Sequence, residues 1–253
     1  MTISSGRLTT SDGNTLAYDQ VEGTPPGVVF LHGLNSTRQG NKANALADYC
    51  AKRGYGFLTF DMFGHGDSSG QFVEGGPSRW RDDTVAVLDK LTTGRQILVG
   101  SSMGGWVMLL AALARPERIA GLIGIAAAPD FTDEMMASVL SAAQKDQLAR
   151  DGIIDLESPY DDKPMRIGQH LIADGRRNTL LTKPIPLACP VRLLHGQRDD
   201  SVPWQRSMMV AERLTSDDVD VILVKDGDHR LSRDRDLVLI CNALDLLIAR
   251  VKT

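Results

Sequence analysis

The stretch Gln96-Ile97-Leu98-Val99-Gly100-Ser101-Ser102-Met103-Gly104-Gly105-Trp106 decides the fold. Ile97-Leu98-Val99 is a short apolar run that reads as a buried strand, and the residues from Trp106 to Ala114 read as a helix. Between them Gly100, Ser102 and Gly104 fill G-x-S-x-G, the nucleophile-elbow pattern, in the strand–turn–helix context it requires. A serine hydroxyl is a weak nucleophile and must be lifted out of the sheet towards a base. The turn that does so brings backbone atoms close together, so the residues two before and two after the serine must be small. Ser101 lacks glycines at that spacing and takes the variable place.

The same alternation of apolar strand and amphipathic helix runs outward from the elbow. Arg7 to Thr10 and Thr15 to Val21 read as a hairpin closed at Asp12-Gly13. Gly27 to Leu31, Gly56 to Asp61, Gly121 to Ala128, Val191 to His195 and Val219 to Val224 read as further strands. The helices read as Gly40 to Arg53, Ser78 to Leu91, Trp204 to Leu214 and a last one carrying Leu237, Ile240, Leu244, Leu247, Ile248 and Val251. This pattern predicts an α/β fold, a single domain over 1–253 with a mostly parallel central sheet covered on both faces. From Asp130 to Pro186 the alternation weakens. Thr132 to Arg150 reads as one helix, Pro159 and Pro164 break the stretch after it, and Gly168 to Ala173 is a short helix that Gly175 ends. An insertion of that size between two sheet strands predicts a small helical lid over 130–186.

Composition narrows the function classes. With 253 residues, 28 Lys+Arg against 32 Asp+Glu and no basic stripe, the chain does not look like a nucleic-acid binder. No apolar run reaches the length of a membrane span. The opening residues show no basic-then-apolar leader, which predicts a cytoplasmic protein. Cys50, Cys189 and Cys241 are far apart and odd in number, so they read as reduced thiols. No metal-ligand spacing, phosphate loop or dinucleotide fingerprint is present, so neither metal nor cofactor is expected.

A serine nucleophile needs a base, and the base needs an orienting acid, in the order Ser, acid, His behind this elbow. Of the five histidines, His32 and His65 precede Ser102, and His170 falls in the insertion. His195 closes a strand with no acid ahead of it. His229 comes after the last strand, in Lys225-Asp226-Gly227-Asp228-His229-Arg230, where a loop can reach the elbow. His229 is therefore the candidate base. The preceding loop offers two acids, Asp199 and Asp200, and Asp130 is a distant third. The oxyanion that forms during acyl transfer needs two donors: the backbone N–H of Met103 and, from His32-Gly33-Leu34 after the first apolar strand, that of Leu34. His65 in its glycine-rich loop reads as structural, bonding to backbone. Trp80, Trp106 and Trp204 read as core or pocket wall. Met135 and Met136 suit an acyl pocket or ordinary helix packing equally. Arg230 to Asp236 reads as a solvated helix start.

The segments QILVGSSMGGW (96–106), RLLHGQRDDSVPW (192–204) and DVDVILVKDGDHR (218–230) are longer and more specific than a bare elbow. With them the chain resembles the α/β-hydrolase superfamily over nearly its whole length, most closely its acyl-protein thioesterases and acyl-glucuronide esterases. Matched position by position, the resemblance implies Ser102 as nucleophile, Asp199 rather than Asp200 as acid and His229 as base. It implies hydrolysis of acyl thioesters and carboxylic esters on small molecules or acylated proteins. Two rival expectations remain: a carboxylesterase, lipase or C–C bond hydrolase of the same fold, and a catalytically silent binding module.

Overall fold

A computed structural model describes residues 3–158 and 161–252. The chain opens with β1 (Ser4–Thr9) and β2 (Thr15–Val21), an antiparallel hairpin in which Leu8 pairs with Leu16. Its turn closes at Gly13, whose φ of +82° is cheap for glycine. Then come β3 (Thr24–Leu31), α1 (Asn41–Arg53), β4 (Tyr55–Phe60) and α2 (Pro77–Leu91). Gly54 ends α1 in the left-handed conformation, with φ +75°. Pro77 opens α2, where a missing N–H is harmless. The elbow joins β5 (Gln96–Ser101) to α3 (Met103–Ala114), and β6 (Ile119–Ile125) comes next.

Between β6 and the next strand of the main sheet the chain is more varied than a helical insertion. It forms α4 (Phe131–Glu134), a π turn at Met135–Val139, α5 (Ala142–Asp151), an antiparallel pair β7 (Ile153–Ser158) and β8 (Asp161–Gly168), and α6 (Gln169–Arg177). The single helix expected over Thr132 to Arg150 is broken at Ser141. There a capping box, Ser141 accepting from the Gln144 N–H and Gln144 accepting from the Ser141 N–H, starts a new helix. Pro164 does not break its stretch but lies within β8; Pro159 falls outside the described residues. Both ends of the segment are tied down. The Asp130 carboxylate, the distant third acid candidate, accepts from the N–H groups of Leu180 and Leu181 at 2.9 and 2.8 Å.

The chain closes with β9 (Val191–Gly196), α7 (Gln205–Arg213), β10 (Val219–Val224) and α8 (Asp234–Val251). The main sheet has the order β1-β2-β4-β3-β5-β6-β9-β10 and is parallel from β4 to β10. Alternate residues of each central strand enter opposite cores. Val29, Leu31, Leu58 and Leu98 meet α2 and α3 on one face, while Val28, Phe30, Ile97 and Val99 meet α1 and α8 on the other. Burying a Val, Leu or Ile side chain fully contributes about 1.5–3 kcal/mol, so two such layers hold the carboxyl ends of β3, β5, β6, β9 and β10 side by side. The expected solvated start of α8 is instead anchored: Asp236 is 2% exposed and accepts from the Arg233 guanidinium and its N–H. No helix among the described residues is long and apolar enough to cross a membrane.

Candidate active site

Ser102 sits between β5 and α3 with φ +55° and ψ −121°, a conformation non-glycine residues avoid. The surrounding backbone enforces it. The Ser102 N–H donates to Ile125 O at 2.9 Å, and its carbonyl accepts from the Gly105 and Ala128 N–H groups at 2.9 and 3.0 Å. A Cβ on Gly100 would run into the Gly104 carbonyl, and one on Gly104 into the carbonyls of Leu31 and His32. The two glycines of the motif are thus required by contact between backbones, as its spacing predicts.

The structure brings the three widely separated candidates together. Ser102 Oγ lies 3.0 Å from His229 Nε2, and His229 Nδ1 lies 2.7 Å from Asp199 Oδ2. The Asp199 side chain is fully buried and that of His229 is 13% exposed. The other Asp199 oxygen accepts from the N–H groups of Ser201 and Val202 at 2.9 and 2.7 Å. Burial raises the Asp199 carboxyl, but the hydrogen bonds from His195 and His229, the charge of His229 and the Val202 N–H outweigh it. The net effect holds Asp199 well below the usual carboxylate range. Asp200 is exposed and meets Ser201 Oγ at 3.4 Å, so it stands apart from the relay.

Of the two residues expected to supply oxyanion donors, Met103 follows Ser102 in the chain and Leu34 follows Gly33, which lies against Ser102. Met103 is the first residue of α3, where the N–H has no intrahelical acceptor and the helix dipole favours negative charge. Leu34 comes directly after Gly33, where a Cβ would stand 3.4 Å from Ser102 Cβ. His32 fixes how that peptide faces. Its Nε2 accepts from the Met62 N–H at 3.2 Å, so Nδ1 carries the proton and donates to Gly33 O at 2.8 Å. In a planar trans peptide the C=O and the next N–H point opposite ways. Holding the Gly33 carbonyl therefore turns the Leu34 N–H the other way. Sequence order excluded His32 as base; this positioning contact was not visible in the order of residues.

The glycine-rich loop 62–70 supports His32 from behind. It wraps Asp61, whose side chain accepts from the N–H groups of Arg38 and Asp67 at 2.7 and 3.0 Å and from the Arg38 guanidinium. The loop presents His65, which bonds Phe63 O through Nδ1 at 3.1 Å and places its ring 4.8 Å from that of His32. His65 is structural, as expected. Trp80 and Trp106 are fully buried, and Trp106 reaches the insertion through Nε1 to Asn178 O at 3.1 Å and an edge contact with Phe131. Met135 is buried in the core and Met136 partly buried against it.

This buried pair makes the fold sensitive to acid. Burial pushes His32 down to about 4; burial and then the neighbouring His32 push His65 down to about 3, both from 6.5. In the unfolded chain both take up protons as pH falls through 6.5, while the folded chain does not, so stability is lost below 6.5. Asp83, which burial raises to about 6, opposes this with one proton between about 6 and 3.8. The balance is a loss on the order of 3 kcal/mol between pH 6.5 and 4. Urea midpoints measured across that range should fall with pH, and in His65→Phe the slope should flatten by one proton. An unchanged slope in the variant would contradict the assignment.

Comparison with known proteins agrees with the architecture. The family described as "Serine aminopeptidase, S33" matches residues 25–151. The palmitoyl-protein thioesterase ABHD10, mitochondrial, of Mus musculus is 43% identical over 247 residues, 97% of this chain and 83% of the relative. Among solved structures, α/β hydrolase domain-containing protein 10 from mouse superposes with a TM-score of 0.90 at 42% identity, covering 98% of this chain and 99% of that one. A putative hydrolase from Agrobacterium vitis S4 reaches 0.93 at 36% identity, covering 98% and 100%. The expectation of a cytoplasmic protein does not stand. The ABHD10 relatives, which match nearly the whole chain at 40–43% identity, are named mitochondrial. By its sheet order, its elbow and these likenesses, the chain belongs to the α/β-hydrolases, in the group that contains ABHD10, and is a hydrolytic enzyme.

Proposed function

We propose that the chain hydrolyses acyl thioesters and carboxylic esters through Ser102, His229 and Asp199 and a covalent acyl-enzyme. The observation that carries this reading is the unbroken relay from Ser102 Oγ through His229 to Asp199, at 3.0 and 2.7 Å, on a serine held at positive φ. Ser102 Oγ attacks the acyl carbonyl while His229 Nε2 takes its proton. Negative charge develops on the carbonyl oxygen, facing the N–H groups of Met103 and Leu34. His229 returns the proton to the departing thiol or alcohol, and a water activated by His229 then releases the acid. Asp199, ionised and held by four donors, stabilises the positive charge His229 carries in between.

The thioester half of the reading is supported by the mouse relative, which is named a palmitoyl-protein thioesterase. Segment 130–186 leaves β6, beside the elbow strand, and returns at β9, which carries the acid loop, and this supports reading it as a lid. Steady-state kcat/KM on matched thioesters and oxygen esters, from short to long acyl chains, tests the substrate. A preference for long-chain thioesters is expected. A preference for short oxygen esters would leave the relay standing and make the protein a general carboxylesterase.

A further inference from the structure

Asp199 Oδ2 accepts not one histidine but two. Opposite His229, and wholly buried, His195 Nε2 lies 3.0 Å from the same oxygen. The proton on that nitrogen is fixed by geometry. Nε2 also faces the Val202 carbonyl at 3.0 Å, and two acceptors require a donor between them. The other ring nitrogen, Nδ1, lies 2.8 Å from Ser207 Oγ on α7, a hydroxyl that is itself fully buried and able to donate. Ser207, His195, Asp199, His229 and Ser102 therefore form one continuous hydrogen-bonded line from α7 to the elbow.

We infer that His195, oriented by Ser207, is a positioning residue that fixes the Asp199 carboxylate and thereby sets the basicity of His229. The inference rests on the reading of Ser102, His229 and Asp199 given above. Physically, a carboxylate oxygen shared between two N–H donors has less electron density for either. Without His195, Asp199 would be a stronger acceptor for His229 and would hold the imidazolium more tightly. It would also be free to rotate about its side-chain bonds on the Oδ2 side. Both changes leave less unprotonated, aligned base at a given pH. The charged residues next to this line in the chain are Arg198 and Asp200 on the acid loop, Asp228 and Arg230 beside His229, and Arg206 beside Ser207 on α7; Lys42 of α1 donates to the Arg230 carbonyl at 2.6 Å. The proposed variants leave all of them in place.

The test uses a fluorophosphonate probe, so it needs no knowledge of the natural substrate. Ser102 Oγ attacks phosphorus, the O–P bond forms, the P–F bond breaks, fluoride leaves and the hydroxyl proton passes to His229. The second-order rate of labelling would be measured from pH 5 to 9 in four intact proteins: wild type, His195→Leu, His195→Gln and Ser207→Ala. Glutamine places an N–H near the position of Nε2; leucine does not. Removing a hydrogen bond to a charged group should slow His195→Leu about 10–100-fold. Its acid limb should move to higher pH, His195→Gln should recover most of the rate, and Ser207→Ala should shift the same way by less. A folded His195→Leu that labels within twofold of wild type with an unmoved limb would overturn the proposal. So would a His195→Gln no faster than a folded His195→Leu. Should His195→Leu fail to fold, Ser207→Ala with wild-type rate and limb would overturn it alone. If wild type itself does not label at Ser102, it is the triad reading that fails.

Discussion

Ser102→Ala is expected to lower kcat by about five powers of ten, because the members of such a relay act as a unit and the nucleophile has no substitute. The elbow should survive the change. Its strain sits in the backbone at φ +55°, and alanine has the same Cβ as serine. The N–H groups of Met103 and Leu34 remain, so substrate should still bind and KM should change by no more than a few-fold. A residual rate of about a thousandfold over water is the expected contribution of those donors and of binding. Steady-state kinetics on a chromogenic ester, beside a melting curve to show the fold intact, measures both quantities. Retention of more than a tenth of wild-type kcat would remove Ser102 from the chemistry. A large rise in KM at constant kcat would give it a binding role instead.

Sequence made the elbow legible because its constraints fall at fixed spacing from the serine. Gly100 is needed where it meets Gly104 across the turn, and Gly104 where it meets the carbonyls of Leu31 and His32, and a motif records both positions directly. The strands of the main sheet were legible because burial on both faces leaves unbroken apolar runs such as Ile97 to Val99. The insertion was harder. Ser141-x-x-Gln144 is a capping-box signal, and it was present in the sequence to divide the helix expected over Thr132 to Arg150. The pairing of β7 with β8 depends on register between two short, mostly polar strands, which periodicity does not specify.

Residues that act through others were the least legible. His195 was judged by what precedes it, whereas its acid lies four residues after it, folded back by the turn that ends β9. The contribution of His32 depends on the facing of a single peptide. Asp61 and Arg38 meet across 23 residues to hold the loop behind that peptide. Asp236 is buried although it stands in a run of charges, because the guanidinium and the backbone N–H of Arg233 satisfy it. In each case the chemistry depends on orientation, which only the folded chain supplies.

Asp199→Asn is expected to lower kcat by about three to four powers of ten while leaving most of the fold in place. The reason lies in the four donors that converge on this carboxylate. Oδ1 takes the N–H groups of Ser201 and Val202, and Oδ2 takes His195 and His229. Asparagine has one oxygen. If that oxygen stays with the two backbone N–H groups, the amide NH2 confronts the Nε2–H of His195 and the Nδ1 of His229. His229 must then give up its Nδ1 proton and carry it on Nε2, where it would donate to Ser102 and could no longer accept from it. If the amide turns over, the NH2 opposes two backbone N–H groups instead, and a buried donor pair left unsatisfied costs about 1–3 kcal/mol. Either arrangement removes the base or loosens the loop that carries its partner. Asp200→Asn is the matching control. That side chain is exposed and outside the relay, so its kcat should stay within about twofold, as for ordinary surface changes. Measured together, the two variants decide which aspartate is the acid. Equal losses would mean that the loop as a whole, and not the Asp199 carboxylate, is what matters; a larger loss in Asp200→Asn would reverse the assignment.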